Sequence, residues 1–175
     1  MDSSEFLEFL SSRSSVREFT GAPVSSGEVL HALDCASTAP SAGNLEAWDV
    51  VVVSDAALLG RLAAAAYGQQ HVHDAAVVFV VCANYARSMD KYGERGMFYA
   101  TMDAAIACTY LMLALHTQAI QSCWTGAFDE DKVASAVALP DHLSPIALLA
   151  AGYGLPPVVQ TGRMAVWEHV HWNRW

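Results

Sequence analysis

The chain has 175 residues, and 9 basic against 18 acidic side chains leave it a formal net charge of −9. Apolar residues make up 54% and charged residues only 15%, well under the roughly 25% charged of ordinary soluble domains. This composition excludes a disordered chain, and nine cations are too few for the basic face that nucleic-acid binding needs. The length suits one domain spanning 1–175. The apolar surplus has three possible sources: a membrane span, a thick core or a buried subunit interface.

In chain order, Phe6, Leu7, Phe9 and Leu10 predict an amphipathic helix over Ser4–Ser11. A second helix is predicted after Ser25-Ser26, with Glu28 in its first turn and Val29, Leu30, Ala32 and Leu33 within it. The loop Thr38–Asn44 follows. Asp49–Ser54 is β-branched and predicts a strand, and Asp55–Ala66 an Ala/Leu helix. Ala76–Ala83 (AVVFVVCA) predicts a strand buried on both faces. A long central helix is expected over Met102–Ile120, a short strand or turn over Ser122–Gly126, and a helix over Glu130–Ala138 closed by Leu139-Pro140. Ile146–Gly152 predicts another strand, followed by the turn Gly154-Leu155-Pro156-Pro157. Val166–Val170 predicts a last short extended piece. Helices and few, unevenly spaced strands point to an α+β fold.

The longest charge-free stretch is Ala104–Ser122. Thr109, His116, Thr117, Gln118 and Gln121 interrupt it and no Lys or Arg flanks it, so it reads as a buried helix and not a membrane span. The N-terminal Met1-Asp2-Ser3-Ser4-Glu5 has no basic start and does not read as a signal peptide. Cysteines stand at 35, 82, 108 and 123 with no CxxC pair. Cys82 and Cys108 lie in apolar runs and are expected as buried free thiols, in a reducing, cytoplasmic setting.

The chain has no GxGxxG opening a helix, no GxxxxGK[ST], no GxSxG and no HExxH. Three clusters carry the remaining chemistry. Arg13-Ser14-Ser15-Val16-Arg17 sets two guanidiniums four residues apart around two hydroxyls, a group suited to holding a phosphate. A solvated helix end with Arg17 paired to Glu18 or Asp2 fits the same spacing. Ala39-Pro40-Ser41-Ala42-Gly43-Asn44 is small enough for close approach to a flat ligand, and equally fits an ordinary helix-to-strand loop. Cys123-Trp124-Thr125-Gly126-Ala127-Phe128 permits close approach beneath aromatics, or simple core packing. His71/His73 and His169/His171 would each share a face in extended chain, but no third ligand stands at a suitable spacing, so no metal site is expected. His116 is expected as a hydrogen-bonded core histidine.

Taken together, these clusters resemble the nitroreductase family of FMN enzymes. Arg13–Phe19 (RSSVREF) is similar to the family's RRSVRxF opening, and Ala39–Trp48 (APSAGNLEAW) to its APSAGNxQPW loop. Asp103-Ala104-Ala105, then Ser122–Asp129 (SCWTGAFD), resemble its D-x-A…SCWxGAF segment. Leu139-Pro140, Ala151–Gly154 and a terminal Arg163…Trp167…His171-Trp172 follow in order.

The resemblance implies a sandwich of a central, mostly antiparallel sheet flanked by helices, with the long helix at a homodimer interface. It implies FMN at that interface and ping-pong chemistry. NADH or NADPH donates a hydride to the flavin N5, and a quinone or nitroaromatic accepts it, with no catalytic side chain required. Carried across by residue, it implies that Arg13, Ser14, Ser15 and Arg17 hold the phosphate and ribityl chain, completed by Arg163. Pro40, Ser41, Ala42 and Asn44 contact the flavin from the partner subunit, and Trp124, Gly126 and Ala127 line the ring. A flavin-binding or sensor protein without efficient turnover is the alternative, and a non-flavin dimer of the same fold a third reading.

The chain departs from the family pattern at four places. Ser14 replaces a second arginine. Glu46-Ala47 replaces Gln-Pro, putting a carboxylate where it would disfavour an anionic reduced flavin. Ala119-Ile120-Gln121 lacks the glycines of GLG, so a different turn is expected there. Little room remains for an inserted lid before Gly126, which implies an open, permissive pocket.

Overall fold

The computed structural model describes residues 2–157 and 161–175. Helix α1 (Ser3–Ser12) starts at a capping box in which the Asp2 side chain accepts backbone N–H groups and Glu5 returns a bond to the cap. Helix α2 (Ser26–Ala36) starts the same way at Ser25 and Glu28. A short 3-10 turn at Ala42–Asn44 leads to β1 (Trp48–Val53). There follow α3 (Ala56–Ala65), α4 (Gln70–His73), β2 (Val77–Asn84), α5 (Tyr85–Tyr92), α6 (Arg95–Thr117), β3 (Gln121–Thr125), α7 (Glu130–Ala136) and β4 (Leu143–Gly152).

The four strands form one antiparallel sheet in the order β1-β2-β4-β3. All eight residues of β2 are buried, as its two-sided apolar run predicts. The pleat sends alternate side chains to opposite faces. Val77, Phe79, Val81 and Ala83 join Ala147, Leu149 and Ala151 of β4 against α2 and α6. Val78, Val80 and Cys82 join Leu148 and Ala150 against α3 and α7. Each large apolar side chain so buried contributes about 1.5–3 kcal/mol. β4 carries Pro145, which lacks an N–H, at the point where its register with β2 shifts between Val81 and Cys82.

The α+β reading holds, with several adjustments. The long helix begins at Arg95, seven residues before the expected Met102. Gly96, Ala100, Asp103, Ala104, Ala107, Cys108, Leu111, Ala114 and Leu115 form its buried stripe at helical spacing. Its other side exposes Met97, Phe98, Met102 and Tyr110, so within one chain it is buried on one face only. By length and composition α6 could cross a membrane, but 44% of its apolar window is packed inside this fold. Val166–Glu168 is a 3-10 turn and not an extended piece. Helices α4 and α5 were not expected; α4 is a single turn, and α5 is mostly polar, with an apolar period of only three residues, Tyr85, Met89 and Tyr92, too short to stand out in sequence. Cys82 and Cys108 are buried free thiols whose pKa burial raises, that of Cys82 to about 12.

Candidate active site

Past α1 the chain crosses the edge of the sheet in extended form. Ser15 bridges Ser122 of β3 in parallel, the Val16 N–H donates to the Ser122 carbonyl at 3.0 Å, and Phe19 bridges Gly154. Val16 is fully buried, so the flanking Ser15 and Arg17 are turned to solvent. A Cβ on Gly154 would press into the Glu18 carbonyl and lie 3.0 Å from Val16 Cγ1, so only glycine lets the two segments meet this closely.

This placement builds a cavity of about 710 Å³ whose lining includes Arg13, Ser14, Ser15, Arg17, Thr161 and Arg163. Three guanidiniums from distant parts of the sequence face one space, and among the described residues no carboxylate lines it. Among the described residues none of the three is in an ion pair, so the pairing of Arg17 with Glu18 or Asp2 does not occur. The Ser14 hydroxyl oxygen is buried in this lining and has no hydrogen-bond partner among the described residues. A buried hydroxyl without a partner is uncommon in native folds. An anion with several acceptor oxygens fits this set, since it supplies what all four side chains lack.

Beside the cavity, Trp124 lies near the end of β3, half-buried against the α6 cluster, while Gly126 and Ala127 are exposed just beyond the strand. A Cβ on Gly126 would meet nothing nearer than Trp124 Nε1 at 3.8 Å, so the surface above this glycine is open. Buried His71 of α4 has Nε2 2.7 Å from Thr125 Oγ1. Burial, and then the positive charge of Arg17, hold its pKa below the usual histidine value. His116 has Nε2 2.8 Å from Ser12 Oγ and its ring 5.0 Å from that of Phe9. It is hydrogen-bonded as expected, but only half-buried. Burial and then Arg13 lower its pKa, against a hydrogen bond that the ring donates to the Phe9 carbonyl.

Pro40, Ser41, Ala42 and Asn44 precede β1, at the opposite edge of the sheet from β3. Three strand spacings, about 14 Å, separate those edges. Within one chain the structure brings Arg163 to Arg13 and Arg17, and leaves loop 40–44 away from them. Ser14, where a second arginine is common, contributes the buried hydroxyl. Gln118-Ala119-Ile120 alone joins α6 to β3, and Ala119 takes a left-handed φ of +58° without being glycine. Residues 118–120 leave no space for an inserted lid.

Three residues have contacts in the structure that the sequence reading did not assign to them. His71 was weighed only with His73 as an extended pair, but both lie on α4, and no cluster of metal-ligating groups occurs among the described residues. Asp103 accepts two backbone N–H groups from loop 41–47, and Arg87 donates to the carbonyls of Glu46 in that loop and of Trp48 at the start of β1. Asp103 carried a signal: it is the lone Asp, Glu, Lys or Arg between Arg95 and Asp129. Arg87 carried none.

A model of the nitroreductase family matches residues 10–72 and 63–153, which include the arginine cluster, loop 40–44 and the end of β3. The chain belongs to the nitroreductase family. Among curated relatives, an NADH dehydrogenase of Thermus thermophilus is 30% identical over 189 residues, covering 92% of each chain. An FMN reductase (NADPH) of Bacillus subtilis is 26% identical over 161 residues, covering 84% of this chain and 65% of that one. The solved structure of the NfrA1 nitroreductase from B. subtilis superposes with a TM-score of 0.87 at 25% identity, covering 96% of this chain and 74% of that one. The central antiparallel sheet, its flanking helices and long α6 are the nitroreductase fold.

Proposed function

We propose that this nitroreductase-family chain is an FMN-dependent oxidoreductase that takes electrons from NADH or NADPH. The observation that carries the reading is the cavity with three unpaired guanidiniums and the buried, unpartnered Ser14 hydroxyl. The names of the relatives support the same cofactor and donors.

Arg13, Arg17 and Arg163 would neutralise the FMN phosphate, with Ser14 and Ser15 donating to it or to the ribityl chain. Trp124, Gly126 and Ala127 would line the ring, since exposed Gly126 allows close approach of a flat group. Bound FMN would supply the redox chemistry, ping-pong electron transfer from NADH or NADPH to a quinone, nitroaromatic or similar small acceptor. The chain's own task is to bind, orient and limit water. The tight join of α6 to β3 leaves the site open to acceptors of varied shape.

Loop 40–44 reaches a flavin only if a second copy brings it across, so the working unit is a homodimer with one domain, 1–175, per chain. The exposed Met97, Phe98, Met102 and Tyr110 of α6 give that dimer its apolar contact. Four free cysteines fit a reducing, cytoplasmic setting.

The test uses the purified full chain. A yellow protein that releases FMN on denaturation, is bleached anaerobically by NADH or NADPH and recovers colour with a quinone or nitroaromatic supports the reading. Colour that neither nucleotide bleaches assigns a flavin-binding protein without turnover. A colourless protein that takes up no FMN ends the flavin reading.

A further inference from the structure

Asp103 lies on the buried stripe of α6 at 2% exposure, and among the described residues no cation pairs with it. A buried carboxylate loses its hydration and needs compensation. Here that comes from the loop before β1: Oδ1 accepts the Ala42 N–H at 2.8 Å and Oδ2 the Ala47 N–H at 3.3 Å. From the outside, Arg87 of α5 donates to the carbonyls of Glu46 and Trp48, the latter at 3.2 Å, and pairs with Asp49 at 3.2 Å. Between these holds the backbone turns left-handed three times, at Gly43 (φ +59°), Asn44 (+56°) and Glu46 (+49°). Two of those residues are not glycine, and L side chains resist that conformation.

The two holding groups are themselves in fixed register. A Cβ on Gly96 would lie 2.6 Å from the Met89 nitrogen and 2.7 Å from the Ser88 carbonyl carbon, so the backbones of α5 and α6 touch. At the end of α5 the Tyr92 hydroxyl and Lys91 Nζ close over Gly43, where a side chain would need their space. The α5–α6 corner therefore acts on the loop's shape together with the loop's own hydrogen bonds, Asn44 N–H to the Ser41 carbonyl and Leu45 N–H to the Ala42 carbonyl.

We propose that Asp103 and Arg87 are positioning residues, which hold loop 41–47 in its strained form before any ligand arrives. The role in flavin binding rests on the reading that Ser41, Ala42 and Asn44 contact the flavin; the shaping of the loop does not. Preorganisation of this kind improves affinity because the ordering cost is met during folding and not during binding. Asn at position 103 would turn an amide donor toward one loop N–H and lose an acceptor.

The experiment compares wild type with Asp103→Asn, Arg87→Ala and Arg87→Lys, each as the purified full chain. The reporter of loop shape is hydrogen exchange at the Glu46 amide, which donates to Ser41 Oγ at 2.9 Å and touches neither altered side chain. Exchange at Glu46 at least tenfold faster in Asp103→Asn and in Arg87→Ala, partly restored in Arg87→Lys, is expected without any flavin. With FMN added, the dissociation constant is expected to rise at least tenfold in Asp103→Asn, with a shifted flavin absorption band. A lowered melting temperature with unchanged Glu46 exchange, FMN affinity and flavin band would reduce Asp103 to a merely structural residue and overturn the proposal. If Asp103→Asn does not fold, the half-exposed Arg87 decides through the same readouts. Wild-type protein that takes up no FMN would end the flavin reading, while Glu46 exchange would still decide the loop's shaping.

Discussion

The Val16 N–H donates to the Ser122 carbonyl at 3.0 Å, tying the segment after α1 to β3 across 106 residues of sequence. This bond, with the Ser15–Ser122 bridge, carries Arg13 and Arg17 to the sheet edge formed by β3, the strand that holds Trp124 and leads into Gly126. The cationic cavity is thus a product of strand pairing.

Removing one of its guanidiniums should weaken FMN binding. A charge-assisted hydrogen bond is worth about 1.5–3 kcal/mol, and a factor of ten in affinity is about 1.4 kcal/mol. Arg13→Ala and Arg17→Ala are each expected to raise the FMN dissociation constant by about tenfold or more, with Arg163→Ala acting in the same direction. Quenching of flavin fluorescence on titration with apoprotein measures it. Unchanged affinity in both Arg13→Ala and Arg17→Ala would refute the phosphate assignment.

His71 should make stability pH-dependent. Its pKa in the fold is lowered, by burial first and by Arg17 second, from an ordinary value of 6.5. As pH falls below that value, the unfolded chain takes up the proton before the folded one does. The stabilisation is therefore complete above about pH 6.5 and is lost as pH falls through the lower folded pKa. His71→Gln keeps a polar partner for Thr125 but does not titrate. Its melting temperature should fall less steeply than wild type's on acidification, with a residual slope because His116 is shifted the same way. Parallel curves for the two proteins would rule out His71 as the source.

At the exit of α6, the Ile120 N–H reaches back to the Leu115 carbonyl at 3.0 Å, closing the helix around left-handed Ala119. An L side chain in that conformation costs about 1–2 kcal/mol, and glycine gives back part of this through the entropy of the unfolded chain. Ala119→Gly should therefore raise stability by about 0.5–1 kcal/mol, read as a higher midpoint in urea. A lower midpoint would show that the Ala119 methyl packs better than its strain costs.

Loop 40–44 can be tested for action across a dimer by mixing two damaged chains. Arg17→Ala damages the cavity and Asn44→Ala the loop. If the loop serves the other subunit, a mixed dimer holds one site with both defects and one intact site, and regains about half the flavin of a wild-type dimer. If the loop serves its own chain, every site in the mixture carries one defect and nothing is regained. Differently tagged chains, purified for both tags, distinguish the outcomes.

Much of this protein was legible from sequence because the signals were local. The two-sided apolar run of β2, the capping boxes at Asp2 and Ser25 and the charge-poor centre of α6 each report their own surroundings. The motifs at 13–19, 39–48 and 122–129 sufficed for the family. Helix α5 escaped because its apolar period, Tyr85, Met89 and Tyr92, covers only two turns of a mostly polar segment; Gly96 packs against its backbone, a contact from the next element.

The sequence by itself determined the fold class, the family and which side chains are chemically suited to a phosphate. Only the tertiary structure decided that Arg163 joins Arg13 and Arg17, that Ser14 is buried beside them without a partner, and that loop 40–44 lies at the far edge of the sheet. The difference is physical. Periodicity and capping act within a few residues, whereas convergence of charges and the hold of Asp103 on Ala42 depend on how strands pair and helices pack across long separations in the chain.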